Sequence, residues 1–540
     1  MIRYQCKNQQ KFEFFKTEFE EKLDKENRWV KMAEEIPWDE LACIYYKGMN
    51  KGFGSPSKSA RLVIGAVIIK HKLNLSDAET IEQIRENPYL QYFVGYTEYS
   101  SGTAFDSSLF VKIRERLGKE EFAEFSQIII EKAEAQKQKH KETKQTKESK
   151  KNKDRKNKLD DKAIPPQKEK LDDPPTTESK GKAESAAEET EPKTHSGKLI
   201  LDATIADQYI KYPTDIDLVN KAREQLEELI DEIFPHSQLT KKPRTYRERA
   251  HKEFLAISKK RKKTSKEIRK VMRKQSGYLK RDLRAIEQML NSREERAFPL
   301  SHKYQKRYWI IQQLYNQQKE MYDNKNHICK DRIVSLHQAH VRPMVRGKSP
   351  NKTEFGAKLG VGLREGYATI SKISWDAYDE GSDLLKQVEE YKTMYGYYPE
   401  VVIADTKYGT KANRNGLKDL GIRYSGTSLG RKPKETEENK EILKAKKKQR
   451  QQESGTRNQI EGKFGQGKNG YNLNRIRTRK MSTSESLICA IFFVMNIIQF
   501  MKDNIFVLIL KIKYLVKYLK TNFADLIVKI IKPELSLLFQ

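Results

Sequence analysis

The sequence predicts an α/β protein: a mixed sheet with a long helical insertion after its first strand, preceded by an all-α region. Three observations predict it. Two short apolar runs, LILDA at 199–203 and VVIAD at 401–405, have the length of buried strands, and each carries an Asp at its carboxyl edge. The stretch between 218 and 326 shows helical rather than alternating periodicity. The first 133 residues read as helices and give way to a charged tract almost free of apolar residues.

FEFFKTEFEEKL has helical spacing, and ARLVIGAVIIKHKL reads as a buried helix. SDAETIEQIRENPYLQYFVGY opens with Ser76 and Glu79 at capping-box spacing and stops near Asn87-Pro88. The short turn at 74–76 would join two helices as in a helix-turn-helix. The second helix has few basic or amide side chains with which to read bases, so a plain bundle and a DNA reader both stay open. Between 136 and 196 the large apolar residues are Leu159, Ile164 and Leu171, with no aromatic, and 134–196 is read as a disordered basic and acidic linker.

Order resumes at KLILDATIADQYIKYPTD. LVNKAREQLEELIDEIF continues as a helix, and heptad-like spacing of Ile268, Met272, Leu279, Leu283, Ile286 and Leu290, then of Tyr304, Tyr308, Ile311, Tyr315 and Tyr322, predicts two antiparallel helices. KKRKK at 259–263 reads either as a solvated face or as a phosphate-contacting patch. EFGAKLGVGL and GYATISKISW read as strands, DLLKQVEEYKTMYG as a helix, VVIA as a strand, NRNGLKDLG as a helix stopped by Gly421, and IRYSGT as a further strand. The run LICAIFFVMNIIQFM is too short to span a bilayer. The Lys-spaced segment after it reads as amphipathic helices, giving an expectation of no membrane insertion.

Lys and Arg number 106 against 75 Asp and Glu, a formal charge of +31. Such a charge repels itself unless a polyanion is the partner, and nucleic acid is the first candidate. Four cysteines, Cys6, Cys43, Cys329 and Cys489, stand at no metal-ligand spacing and fit reduced thiols in a cytosol. His337 and His340 have no companion ligands that would make them a zinc site. The first residues contain no apolar stretch of a signal peptide, so the expected location is the cytoplasm.

Outside the insertion the order is strand, two strands, helix, strand, then a helix bearing Glu461, which is the order of a ribonuclease-H-like sheet. Asp202 and Asp405 would lie at the carboxyl edge, where α/β sheets place ligands. Three carboxylates meeting there repel one another unless a hard cation joins them. Two Mg²⁺ ions would clamp the attacking and leaving oxygens of an in-line phosphoryl displacement. Asp202 and Asp405 would hold or bridge them, and Glu461 would complete the second site. In RNQIEGKFGQGK (457–468), positions 457, 461 and 468 fall within about 40° of one another on a helix. Arg457 and Lys468 would then flank Glu461 and contact phosphates. Asp207, Asp215, Asp217 and Asp376 compete for the acidic roles; Asp215 reads as a helix cap, and Asp376 is the first substitute for Asp202.

These segments resemble bacterial insertion-sequence transposases of the DDE type. The matching blocks are ARLVIGAVIIKHKLNLSDAETIEQIRENPYLQYFVGY, LILDATIADQYIKYPTDIDLVNKARE, DRIVSLHQAHVRPMVRGK, PEVVIADTKYGTKANRNGLKDLGIRYSGTSLGRKP and RNQIEGKFGQGKNGYNLNRI. The resemblance assigns the triad to Asp202, Asp405 and Glu461, and the signature around the Glu to Arg457 and Lys468; Ser454 stands where some members have Tyr. It places the start of the Glu-bearing helix near Glu461. It implies Mg²⁺ or Mn²⁺, binding of terminal inverted repeats of double-stranded DNA as a homodimer or larger assembly, and strand cleavage and transfer. The expected layout is a helical domain over 1–133, the linker, a catalytic domain over 197–500 with its insertion at about 218–326, and helices over 501–540. Rival readings are a non-catalytic DNA-binding protein derived from a transposase and a metal-dependent nuclease.

Overall fold

The computed structural model describes residues 16–47, 49, 56–160, 194–345, 353–431 and 436–504. Among the described residues eight helices come first: α1 (Glu18–Lys22), α2 (Arg28–Glu35), α3 (Trp38–Tyr46), α4 (Ala60–Leu73), α5 (Asp77–Glu86), α6 (Pro88–Phe93), α7 (Leu109–Arg116) and α8 (Lys119–Asp160). α4 is buried along most of its length, as its unbroken apolar run requires, and ends at Asn74 in the left-handed conformation (φ 56°). Ser76 caps α5 by accepting from Glu79 N–H. The expected turn is there, and it docks on the distant α/β region: Asn74 donates to the Gly470 carbonyl at 2.6 Å.

α8 corrects the linker expectation over 134–160, where the chain stays helical. The reason is in the sequence: Lys, Gln, Glu and Ala are good helix formers, and no Gly or Pro intervenes before Pro165. A segment can lack the apolar residues to build a core and still extend a helix that Phe125, Ile129 and Ile130 have anchored. The rest of the expected linker, to 193, lies outside the described residues.

The sheet has six strands: β1 (Lys198–Asp207), β2 (Pro343–Val345), β3 (Thr353–Arg364), β4 (Tyr367–Ser374), β5 (Val401–Ala404) and β6 (Arg423–Tyr424). β1 is antiparallel to β3 and parallel to β5; β5 is parallel to β6; β3 is antiparallel to β2 and β4. The sheet is therefore mixed, and the protein is mixed α/β as expected. β3 and β4 are joined by a two-residue turn with Glu365 (φ 49°) and Gly366 (φ 89°), the backbone that a tight hairpin demands. Gly356 lies opposite Ala206–Asp207, where a Cβ would come within 1.9 Å of the Ala206 carbonyl, so only glycine allows this pairing.

Between β1 and β2 run α9 (Asp215–Ile233), α10 (Arg247–Ser258), α11 (Ser265–Asn291) and α12 (His302–Asp323), which share a core of their own around Leu226, Ile230, Leu279, Ile286 and Ile311. The helix cap at the start of α9 is Thr214, which accepts from Asp217 N–H; Asp215 instead takes Arg332 at 2.7 Å and Gln318 at 2.9 Å. The remaining helices are α13 (Leu384–Tyr395), α14 (Lys411–Asp419), α15 (Glu437–Gly470) and α16 (Met481–Asn504).

One sheet face packs α13 and α14 through Leu199, Leu201, Val402, Leu384 and Val388. The other face shares a continuous core with α15, α16 and helices α2 to α8; Phe493 of α16 lies 5.4 Å from Phe125 of α8 between ring centroids. α16 corrects the length read from its apolar run. Its first turns recruit the Ser/Thr-rich MSTSES, so at 24 residues it is long and apolar enough to cross a membrane, although 78% of its apolar stretch is buried inside the protein. The segment expected as C-terminal helices lies outside the described residues from 505 onward.

Candidate active site at the sheet edge

Asp202 lies within β1, not at its end: the strand continues to Asp207, paired with β3. Sequence reasoning stopped the strand at the first charge. The side of β1 that faces β5 does stop there, because the parallel pairing ends at Leu201 opposite Ala404. Asp202 and Asp405 are the next residue on each strand. They therefore sit side by side where the sheet opens, on the side that Tyr424 closes by donating its hydroxyl to the Asp405 carbonyl at 2.7 Å.

Asp405 caps the short turn after β5, its Oδ1 accepting from Thr406 N–H at 2.7 Å. The Asp202 carboxylate accepts from Ala203 N–H at 2.8 Å. Burial pushes its pKa above the ordinary carboxylate value, against the Ala203 hydrogen bond and the Arg457 charge, while Glu380 and Asp405 push it further up.

Arg457 and Glu461 come from α15, which starts at Glu437 and not near Glu461, and which remains helical through Gly462, Gly465 and Gly467. Propensity alone disfavours this. Packing reverses it: Glu453, Ile460, Lys463, Phe464 and Gly467 form one buried face against the sheet and α16. Lys463 is locked there, donating to the Gly366 carbonyl at 2.8 Å with its pKa lowered to about 8 by burial. At Gly467 a Cβ would press on Leu473 at 3.1 Å, whereas Gly462 and Gly465 face open space.

The stripe flanking this buried face holds Arg457, Glu461 and Lys468, and Arg457 is its pivot. Its Nη1 lies 3.2 Å from Asp202 Oδ2, and its Nη2 donates to Glu461 Oε1 at 2.8 Å. The guanidinium thus bridges β1 and α15. The structure brings Asp202, Asp405, Arg457 and Glu461 to one edge. It separates Lys468, whose Nζ lies 3.4 Å from Glu354 Oε1 and 3.8 Å from Asp207 Oδ2, towards the far end of β1.

Glu380 is the acid that sequence reasoning missed. It follows β4 in a short 3₁₀ turn, raises the Asp202 pKa, and pairs with Lys358 of β3 at 2.8 Å. The run DAYDE signalled an acidic element, but Asp376 was the residue singled out there. Asp376 is 72% exposed and turns to Arg342 at 3.6 Å. His340 packs edge-on against Trp375, its pKa lowered to about 4 by burial. Among the described residues no three His, Cys, Asp or Glu side chains converge as a ready metal cluster. The donors at the edge are nonetheless carboxylate oxygens, which suit a hard divalent cation. Asp202 and Asp405 present them together, while Glu461 is held to Asp202 through Arg457.

Comparison with known proteins agrees with this location. Residues 402–498 match the family model for the transposase DDE domain, a span that includes Asp405, Arg457, Glu461 and Lys468 but not Asp202. Residues 17–116 match the transposase domain DUF772, which covers α1 to α7. Both ends of the described chain thus carry transposase-family sequence, which supports a DDE-type insertion-sequence transposase. The chain is 33% identical over 107 residues to the uncharacterized protein ORF8 in nfe locus of Rhizobium meliloti. The match covers 19% of this chain and 50% of that protein, so the chain spans about half the length of this curated relative. No solved structure matches the chain.

Proposed function

We propose that the protein is a transposase that binds the terminal inverted repeats of its insertion sequence and catalyses metal-dependent DNA strand cleavage and transfer. The single observation that carries this is the neighbouring placement of Asp202 and Asp405 on two parallel strands, with Glu461 tied to Asp202 through Arg457. The strand order β4-β3-β1-β5-β6, with β1, β5 and β6 parallel and β3 and β4 antiparallel to their neighbours, supports the ribonuclease-H-like reading of the sheet.

Asp202, Asp405 and Glu461 are the residues that would hold Mg²⁺ or Mn²⁺, expected as two ions; when bound, such ions polarise a phosphodiester and activate the attacking hydroxyl. The chain's own residues do the remaining work. Asp405 is oriented by Thr406 N–H, and Asp202 by Ala203 N–H. Arg457 opposes the rise that burial gives the Asp202 pKa and pairs with Glu461 beside it. Arg457 is also the cation placed to meet a phosphate at this edge. Lys468, turned to Glu354 and Asp207, would reach one only by leaving them. The partner in this reading is double-stranded DNA, engaged by a homodimer or larger assembly in the cytoplasm.

The test is cleavage of a duplex carrying the element's own end, with Mg²⁺ or EDTA, by the wild type and by Glu461→Ala. The expected outcome is cleavage that requires both the metal and Glu461. Tight binding with no cleavage in any metal would favour a DNA-binding protein derived from a transposase. Hydrolysis with no joining to a supplied target duplex would favour a nuclease.

A further inference from the structure

The helical insertion carries a surface that the edge chemistry does not use. On α11, Lys266, Lys270, Arg273, Gly277, Lys280 and Arg284 recur at intervals of four, three, four, three and four residues. At about 100° per residue they stay within about 40° of a single line. All six are exposed, on the side opposite the Met272, Leu279, Ile286 and Met289 face that fills the insertion's core. The stripe runs for about 27 Å at ~1.5 Å per residue.

No acidic residue interrupts it. Glu267 lies off the line, accepting from Thr264 N–H and pairing with Lys260 at 2.5 Å. Asp282 is buried, and Glu287 follows one turn after the last cation. Among the described residues none of the five cations makes a hydrogen bond or an ion pair, and a Cβ at Gly277 would meet nothing within 4 Å. The stripe begins beside 259–263, where Lys259, Arg261, Lys262 and Lys263 are exposed as well.

This pattern carries a cost for a helix that faces only solvent. Like charges three and four apart repel, and cations at a helix N-terminus oppose the macrodipole; each effect destabilises by a few tenths of a kcal/mol. The cost is removed only when something anionic with a matching spread of charge lies along the stripe. A duplex presents phosphates in such a row: 27 Å corresponds to about 8 base pairs at ~3.4 Å each. An anionic membrane would supply charge, but the line carries no apolar side chain to enter it.

We propose that this face of α11 is a docking surface for the phosphate backbone of double-stranded DNA, separate from the edge that holds Asp202 and Asp405. The proposal rests on the reading of the protein as one that acts on DNA. It assigns the helical insertion, which neither family match covers, a positioning role: to hold a duplex without reading its bases.

The experiment is anisotropy titration of a 30-base-pair duplex of arbitrary sequence over a range of salt, with the full chain. The variant combines Lys266→Gln, Lys270→Gln, Arg273→Gln, Lys280→Gln and Arg284→Gln. A control of equal charge change combines Lys303→Gln, Lys306→Gln, Lys319→Gln, Lys325→Gln and Lys330→Gln, all exposed. The slope of log K against log salt is expected to fall by about 4 in the stripe variant, at roughly 0.9 per phosphate released. It should change by less than about 1 in the control, and the thermal midpoint of the stripe variant should not fall. Equal slopes for wild type and stripe variant, or equal losses in variant and control, would overturn the docking surface while leaving the transposase reading intact. A wild type that binds no duplex would overturn both. Stripe-dependent binding to phosphatidylserine vesicles without duplex binding would assign the face to a membrane and overturn the proposal.

Discussion

Among the arginine–carboxylate clusters of the described residues, the one at the sheet edge and the one inside the insertion do opposite things. At the sheet edge, Arg457 is shared between Asp202 and Glu461, half open to solvent, with Asp405 and Glu380 close by. Inside the insertion, Arg223 of α9 is 1% exposed and bonds Glu227 and Asn220, with Asp282 of α11 beside it and Arg247 reaching in to the Glu227 carbonyl. The inner cluster buries Arg223, Glu227 and Asp282 and leaves Arg223 Nε and Asp282 Oδ2 without a hydrogen-bond partner, and its ion pair lies where α9 meets α11. The edge cluster is closed on one side only. Same-sign charges that gather where water and substrate can enter are a binding site; those sealed in a core are a structural device.

The largest effect that tests this contrast is loss of chemistry. Asp405→Ala and Glu461→Ala should each lower metal-dependent cleavage by at least about a hundredfold. Because Glu461 is half exposed, its loss should leave the unfolding midpoint nearly unchanged. Cleavage retained in Asp405→Ala would remove the edge as the active site.

The next effect runs the other way. Arg223→Met leaves Glu227 buried without its closest cation and should destabilise the fold by about 3–5 kcal/mol. Cleavage per folded molecule should not change. A variant that keeps its stability but loses cleavage would show that the insertion's core is part of the chemistry, and the contrast would fail.

Asp282 sharpens it further. Burial, and then the charge of Glu227, pushes its carboxyl up to about 7. The folded state therefore holds a proton that the unfolded chain releases above about pH 4. The stability from this proton is full below that pH and is lost as pH rises through about 7. Asp282→Asn keeps the neutral shape at every pH, so it should match the wild type near pH 4 and exceed it at pH 8 by on the order of 4 kcal/mol. Chemical denaturation at the two pH values reads the difference. An unchanged pH dependence would mean that this carboxyl is not the buried acid.

What was legible in the sequence was what repeats or alternates. The two strand–Asp runs, the heptads of α11 and α12 and the cap at Ser76 all follow from local spacing, and the structure has them except at Ile268, which is exposed instead of joining the α11 seam. What was not legible depends on distant packing. Local spacing makes Asp202 a strand end, because nothing local says that β3 will pair beyond it. The glycines of α15 argued against a helix that only the buried face from Glu453 to Gly467 explains. Glu380 comes to Asp202 through the β3–β4 hairpin and a 3₁₀ turn, a path that no periodicity encodes. α8 outran the expected linker because helix propensity and core-forming capacity are separate properties, and only the second was low there.

The smallest effect is the most specific. Asp202 must be ionised to accept a cation, and burial already raises its pKa. Arg457 lowers that pKa and Glu380 raises it, so removing each should move the acid limb of cleavage in opposite directions. In Arg457→Ala the carboxylate is lost at a higher pH, and the limb should move up. In Glu380→Gln it survives to a lower pH, and the limb should move down. Each shift is expected to be small, because both partners are only partly buried. A merely structural role for the pair would lower rates at every pH without moving the limb. If both variants moved it the same way, the titrating group would be another carboxyl, and Asp202 would lose its place as the acid whose pKa Arg457 lowers.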